Sequence, residues 1–359
     1  MPSPATQLPT ERAAGEVELV HAFHDQMPTG VTVADDRRIF VCYPRWGDDV
    51  SFTVAELRDG KEIPFPDLGV NQYTEETAAE RLVSVQSVVI DPAGRLWLLD
   101  TGSVEFGPVI PGGPKLVCVD LAENEIVRTI PLPPEVAHET TYLNDVRFDL
   151  RRGDAGAAFI TDSSDQGEPG IIVVDLASGR SWRRLGGHPS TLAVDGYVAV
   201  IEGHPKDDLL MQADGIAIAA DGERLFYCPL ASRRLYSVSV EALLDESLDD
   251  AAVAATITDH GEKGASDGLE TDADGRIYAT NYEQGSVLRR SADGSWEVLV
   301  HQPGMIFPDT LSVAADGFLY FTVNQLHRQP KFQGGEDLRV KPYAVLRTPI
   351  DSGPVRLRA

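Results

Sequence analysis

Six polar residues recur at one register of a repeated pattern: Thr29, Gln86, Asn144, Asp214, Asp267 and Asp309. Each stands at the start of an alternating apolar run, and the positions two and four residues further on are mostly Val, Ile, Leu or Phe. The polarity is therefore confined to one layer. Three of the six are carboxylates and two are amides. Carboxylates brought to one point repel one another, so at least one is held protonated above its ordinary range unless a cation or a donor compensates. A carboxyl group so tuned can act as a general acid or base. The same oxygens suit a hard divalent cation such as Ca²⁺, which could polarise a carbonyl or activate water. Asp214, Asp267 and Asp309 are accordingly the candidate catalytic residues, and Asn144, Asp214 and Asp267 the candidate cation ligands. Gln86, Asn144 and Asp145 are candidate substrate contacts. Arg45 and Trp46, in the motif PRWGDD, are candidates for a substrate mouth. Asp and Asn at such places also cap turns, so the ring as a set, more than any one member, points to a ligand. No organic cofactor is expected, because no GxSxG, P-loop or GxGxxG opening a helix occurs.

The elements that must position these residues are legible as repeats. GVTVADDRRIFVCY, SVVIDPAGRLWLLD, DVRFDLRRGDAGAAFITD, GIAIAADGERLFYCPL, GLETDADGRIYATNY and TLSVAADGFLYFTVN share one plan: an apolar alternation, an Asp-Gly-type turn (Asp-Asp in the first), and a second apolar strand. Such turns between alternating runs signal hairpins. The starts lie 57, 58, 70, 53 and 42 residues apart, and a second, more polar hairpin follows each first one, as in KLVCVDLAENEIVRTIPLP. Four strands per unit and six units predict an all-β, six-bladed β-propeller. One domain over 1–359 is expected, with 1–15 as a flexible N-terminal tail. In a propeller the innermost strand of each blade runs along the axial channel, which brings the six ring positions to its mouth. The turn residues Asp91, Asp221 and Asp274 are expected to be structural. TEETAAERLV and VEALLDESLDD fall between strands and read as loop helices.

Composition narrows the partners. The chain has 359 residues and a net charge of −25, a surface that repels phosphate backbones and anionic lipid headgroups. Nucleic acid and membranes are poor partners, and a small-molecule substrate is expected. Cys42, Cys118 and Cys228 are isolated in apolar strands and read as buried free thiols. No basic segment followed by an apolar one opens the chain, and no stretch of about 18 apolar residues occurs. A cytoplasmic location is the expectation. The histidines show no HxH or HExxH spacing, and His188 and His204, each before proline, are read as loop residues.

PRWGDD, SVQSVVIDPAGRLWLLDTG, LNDVRFD and DGIAIAADGERLFYCPL resemble the yellow / major royal jelly protein family in its bacterial branch, over about 30–343. The family is six-bladed. The resemblance implies isomerase or tautomerase chemistry, as in the dopachrome-converting members, or carbon–carbon hydrolysis in natural-product pathways. Non-catalytic small-molecule binding is the alternative it offers. More distantly, Asn144, Asp214 and Asp267 match in order the channel motifs of gluconolactonase and regucalcin propellers, which implies a divalent metal and lactonase chemistry. Thr29 stands where that family has its first-blade Glu, and Asp214 replaces an Asn.

Overall fold

The repeated turns fold as their chemistry demands. Gly94, Gly222, Gly275 and Gly317 close the first hairpins of four repeats with φ of 83°, 74°, 80° and 84°, a left-handed backbone that residues with a Cβ seldom adopt. An aspartate at the end of the preceding strand then locks several turns. Asp91 accepts from the backbone of Ala93 and Arg95 and from the side chains of Arg95 and Trp97. Asp272 does the same for Asp274, Arg276 and Tyr278. Asp221 accepts from Glu223 N and Asp274 from the Arg276 guanidinium.

The structure, a computed structural model that describes residues 12–358, is a six-bladed β-propeller. Its blades are six four-stranded antiparallel sheets in chain order from the axis outward. The innermost strands are Val31–Val33, Val85–Ile90, Leu143–Asp149, Ala213–Ile218, Leu269–Thr271 and Pro308–Val313. The last blade is closed by the other end of the chain. Its outermost strand is Glu18–Phe23, paired with Tyr343–Pro349 from Glu18↔Arg347 to Phe23↔Tyr343. Of the expected tail, residues 1–11 lie outside the described residues, whereas Ala14 pairs with His301. Two short helices, Val240–Leu244 and Asp250–Ala254, fall in the VEALLDESLDD segment, and only a single 3₁₀ turn, Glu75–Thr77, forms in TEETAAERLV.

The core lies between blades. One cluster packs Trp97, Leu99 and Leu116 of the second blade against Phe148, Ile160 and Ile172 of the third. Residues 350–357 cross the lower opening of the channel: Ala273 N donates to Gly353 O, Leu150 N donates to Leu357 O, and Arg356 pairs with Asp35. Pro354, Val355 and Arg356 thereby roof a lower axial cavity. Cys42, Cys118 and Cys228 are free and buried. Among the described residues no helix is long and apolar enough to cross a membrane.

Closure of the last blade depends on Phe23, which is fully buried and meets the Tyr43 ring edge-on at 6.0 Å. Removing it leaves a cavity at the seam between the first and last blades. Phe23→Ala should lower the free energy of unfolding by about 3–5 kcal/mol, read from urea denaturation. A loss below about 0.5 kcal/mol, the size of an ordinary surface substitution, would mean the seam does not carry the fold.

Candidate active site

Three devices in the backbone aim the ring residues at the axis. The first is the β-bulge. The ladders of four innermost strands are irregular where the ring residue stands: between Val85 and Ser87, Leu143 and Val146, Ala213 and Ile216, and Pro308 and Leu311. A bulge frees a residue from the ladder and turns its side chain. The second is glycine. A Cβ on Gly215 would lie 2.3 Å from the carbonyl oxygen of Asp267, and one on Gly268 would lie 2.3 Å from that of Asp309. Only glycine lets these neighbouring strands approach so closely, and that approach brings Asp214, Asp267 and Asp309 together.

The third device is a hydroxyl or thiol on the second strand of a blade, reaching the next blade's backbone. Thr161 donates to Asp214 O at 2.6 Å and Thr322 to Thr29 O at 2.6 Å. Cys42 fills the same role toward Gln86 O at 3.0 Å, and Cys228 holds the same register, its sulfur 3.9 Å from Ser266 O. Cys42 and Cys228, read from the sequence only as buried thiols, thus belong to the scaffold of the ring. Burial pushes the Cys42 thiol up to about 12, so it remains a neutral donor.

Gln86, Asn144, Asp214, Asp267 and Asp309 line one small chamber at the upper end of the channel. Thr29 does not line it, because its hydroxyl lies against the Cys42 sulfur and Gln86 O. Asn144 Nδ2 donates to Asp214 Oδ1 at 2.7 Å, and Asn324 Nδ2 to Asp309 Oδ2 at 2.5 Å. Thr310 Oγ1 adds a bond to Asp309 Oδ1 at 3.1 Å. Asp267 adjoins both carboxyl groups in the same chamber. Burial, followed by the neighbouring charges, pushes all three carboxyl groups well above the usual carboxylate range. Amide donors favour the ionised form at Asp214 and Asp309, and no amide donates to the Asp267 carboxyl among the described residues, which makes Asp267 the candidate to carry a proton.

The roof of the chamber comes from loops: Trp46, Phe106, Tyr142, Met211, Leu230 and Leu326. Trp46 stacks on Phe106 at 5.0 Å, and Phe106 lies 5.1 Å from Tyr142. Phe106, Tyr142, Ser163 and Met211 also wall an outer cavity that reaches Thr140, Asp165 and Lys331, so the outer cavity adjoins the chamber across these side chains. Of these residues only Trp46 is a candidate from the sequence, through the motif PRWGDD and not through the repeats. Phe106, Met211 and Lys331 lie on inter-strand loops that share no register, whereas Tyr142 precedes Asn144 and was within reach of the repeat alignment.

The other sequence candidates lie elsewhere. Asp145 faces the lower cavity, where it accepts from Arg147 Nη1 at 2.9 and 2.8 Å and from Ser87 Oγ at 2.7 Å. Arg45 is bound to the carbonyls of Val83, Val50 and Asn71. With its guanidinium so engaged, it ties loops together and does not line the chamber. As for a cation, among the described residues no group of three or more His, Cys, Asp or Glu side chains is arranged to hold one. The donor types suit calcium, but Asn144 and Asn324 direct N–H groups at the carboxylates, where a cation would need lone pairs. In this arrangement the ring does not fit a metal ion.

With that geometry in place, the comparisons with known proteins can be read. Residues 83–334 match the family model described as major royal jelly protein. Protein yellow of Drosophila pseudoobscura pseudoobscura is 30% identical over 237 residues, covering 62% of this chain and 41% of the relative. The match thus spans about two fifths of that relative's length. A gluconolactonase from Xanthomonas campestris superposes with a TM-score of 0.55 at 13% identity, over 97% of this chain and 93% of its own. Regucalcin from Agrobacterium tumefaciens, a calcium-binding protein, gives 0.53 at 13% identity, over 94% and 95%. These two likenesses are of fold.

The raised carboxyls make a pH prediction with a defined sign. Above the ordinary aspartate value of 3.8 the unfolded chain releases protons that the folded ring retains. Stability is therefore fullest below that value and falls as pH rises toward the raised values. Asp267→Asn removes one retained proton, so its unfolding free energy should decline less steeply between about pH 4 and 8 than that of the wild type. Parallel curves for the two proteins would show that Asp267 titrates normally.

Proposed function

This chain belongs to the major royal jelly protein family, and we propose that it is an enzyme moving protons on a small metabolite: an isomerase or tautomerase acting at the axial ring. One observation carries this reading. Three buried carboxyl groups, all held above the usual carboxylate range, meet at the end of an aromatic-roofed chamber, with amide donors that favour charge on two of them. Such a set contains a base and an acid at once, as isomerisation requires.

The step balances without any outside reagent. A charged carboxylate, Asp309 or Asp214, takes a proton from carbon next to a carbonyl. The electron pair of the broken C–H bond forms a C=C bond, and negative charge passes to the carbonyl oxygen. Protonated Asp267 delivers its proton to that oxygen, or to another carbon of the same system, and the proton first abstracted then restores the set. The roof excludes water, which strengthens each of these interactions.

The reading is tested by solvent exchange. Pyruvate, phenylpyruvate, 2,4-pentanedione and ethyl acetoacetate are incubated with the protein in D₂O and followed by proton NMR. At least one should incorporate deuterium at the carbon next to its carbonyl. Asp267→Asn should reduce the rate about 100-fold, the scale of acid–base catalysis, with thermal unfolding intact. Exchange absent for every compound, or undiminished in Asp267→Asn, would refute the reading.

A cation-assisted lactonase is the second reading, favoured by the oxygen-rich ring and the fold shared with a gluconolactonase. It makes the opposite prediction for metal. On the proton reading, neither added calcium nor a chelator shifts the unfolding temperature, whereas a resident ion would stabilise the fold by mass action. Calcium at one equivalent per chain, lost to chelator with a drop in unfolding temperature, would establish the cation reading instead.

A further inference from the structure

Of the two amide side chains that line the chamber, Asn144 is bonded to Asp214, whereas Gln86 meets no carboxyl group among the described residues. Gln86 is buried, and its Oε1 accepts a hydrogen bond from Tyr142 Oη at 3.0 Å. Tyr142 Oη in turn accepts from Trp46 Nε1 at 2.5 Å. An indole N–H can only donate, so the tyrosine oxygen must receive it. The tyrosine hydrogen is then free to point only at an acceptor, and the acceptor it meets is the amide of Gln86. Turning the amide over would set its N–H₂ against a hydroxyl oxygen already engaged by Trp46 and leave the tyrosine hydrogen without a partner. The direction of the whole series is thus fixed from the indole inward. Burial holds the Tyr142 hydroxyl far above its ordinary value, which keeps it a neutral donor throughout the pH range of interest.

We propose that Gln86 is a catalytic residue whose Nε2 hydrogens bind the carbonyl oxygen of the substrate as it becomes an enolate, and that Tyr142 and Trp46 are the positioning residues that lock the amide in that orientation. This rests on the proton-transfer reading of the same ring and sharpens its substrate class. The molecule taken is a carbonyl compound with an acidic C–H beside the carbonyl, oxygen toward Gln86 and carbon toward the aspartates. Three features support the placement. Gln86 shares the chamber with Asp214, Asp267 and Asp309. Its Oε1 is occupied, so what it can present to the chamber is the donor end. The Asp pair and a neutral amide are complementary, since the carboxyls take and give protons while the amide stabilises charge without titrating. A donor prearranged in a dry site gains most where charge develops during the reaction.

The test uses the full chain and the compound that exchanges fastest in D₂O among pyruvate, phenylpyruvate, 2,4-pentanedione and ethyl acetoacetate. Gln86→Leu should lower kcat about 100-fold, the usual cost of one such donor, with KM within about threefold. Tyr142→Phe, which keeps the ring and removes the hydroxyl, should lower kcat roughly 10-fold, a partial share of that donor cost, again with little change in KM. Because Tyr142 acts through Gln86, the double variant should be no slower than Gln86→Leu alone. A purely structural role for Tyr142 would instead give losses that multiply. The inference is overturned if Gln86→Leu or Tyr142→Phe exchanges at the wild-type rate, or if the two losses multiply. An unreactive wild type overturns the proton-transfer reading and this inference with it, while an active wild type indifferent to Gln86→Leu overturns this inference alone.

Discussion

Around the axis of this propeller, neighbouring strands must come closer than residues with side chains permit. A Cβ at Gly215 or Gly268 would collide with the carbonyl oxygen of the adjacent ring residue, and a propeller of this narrowness leaves two remedies. One is to place glycine after the ring residue, as at Gly30, Gly215 and Gly268. The other is to break the ladder with a bulge, as in the three innermost strands where Ser87, Asp145 and Thr310 follow the ring residue. Both have the same effect on function. They release the ring residue from the pleat and point it inward, and they set the carboxyl groups near enough to share protons. Steric crowding of the backbone therefore generates the electrostatic crowding on which the chemistry depends.

That second crowding is unfavourable to the fold. Buried carboxyls with shifted titration weaken the native state at the pH where they are useful, which is a common tension at active sites. The scaffold offsets it locally. Thr161, Thr322 and Cys42 tie one blade to the carbonyl of the next blade's ring residue, and Asp100 and Asp162 cap the backbone N–H groups of Val83, Ser84 and Tyr142 just before Gln86 and Asn144. The ring is held by bonds to its backbone, which leaves its side chains to face one another.

How far the sequence could be read follows from where repetition operates. Strand alternation recurs six times and a turn glycine five, so the blades and the ring register are visible without any structure. Five of the six aligned residues meet in one chamber for that reason. Thr29 is in register but its hydroxyl is drawn to the neighbouring blade. Asp145 shows a different limit. It is adjacent to Asn144, yet the bulge and its pairing with Arg147 send it to the lower cavity, and no spacing rule conveys which way a bulge turns. Arg45 looked available because sequence does not show which carbonyls a loop will offer it. Phe106, Met211 and Lys331 belong to connections of unequal length, where nothing repeats and position has to be seen. Cys42 shows the converse: its thiol was read as inert filling, and only register across blades reveals it as a substitute for threonine.

The pairing of Glu18–Phe23 with Tyr343–Pro349 also has a consequence for the order in which the molecule is made. During synthesis the first blades can form as they emerge, but the strand that completes the last one is produced near the beginning and must wait for residues synthesised more than 300 positions later. Asp309 belongs to that last blade. Asp309 can therefore take its place beside Asp214 and Asp267 in the finished ring only once the two ends of the polypeptide have met.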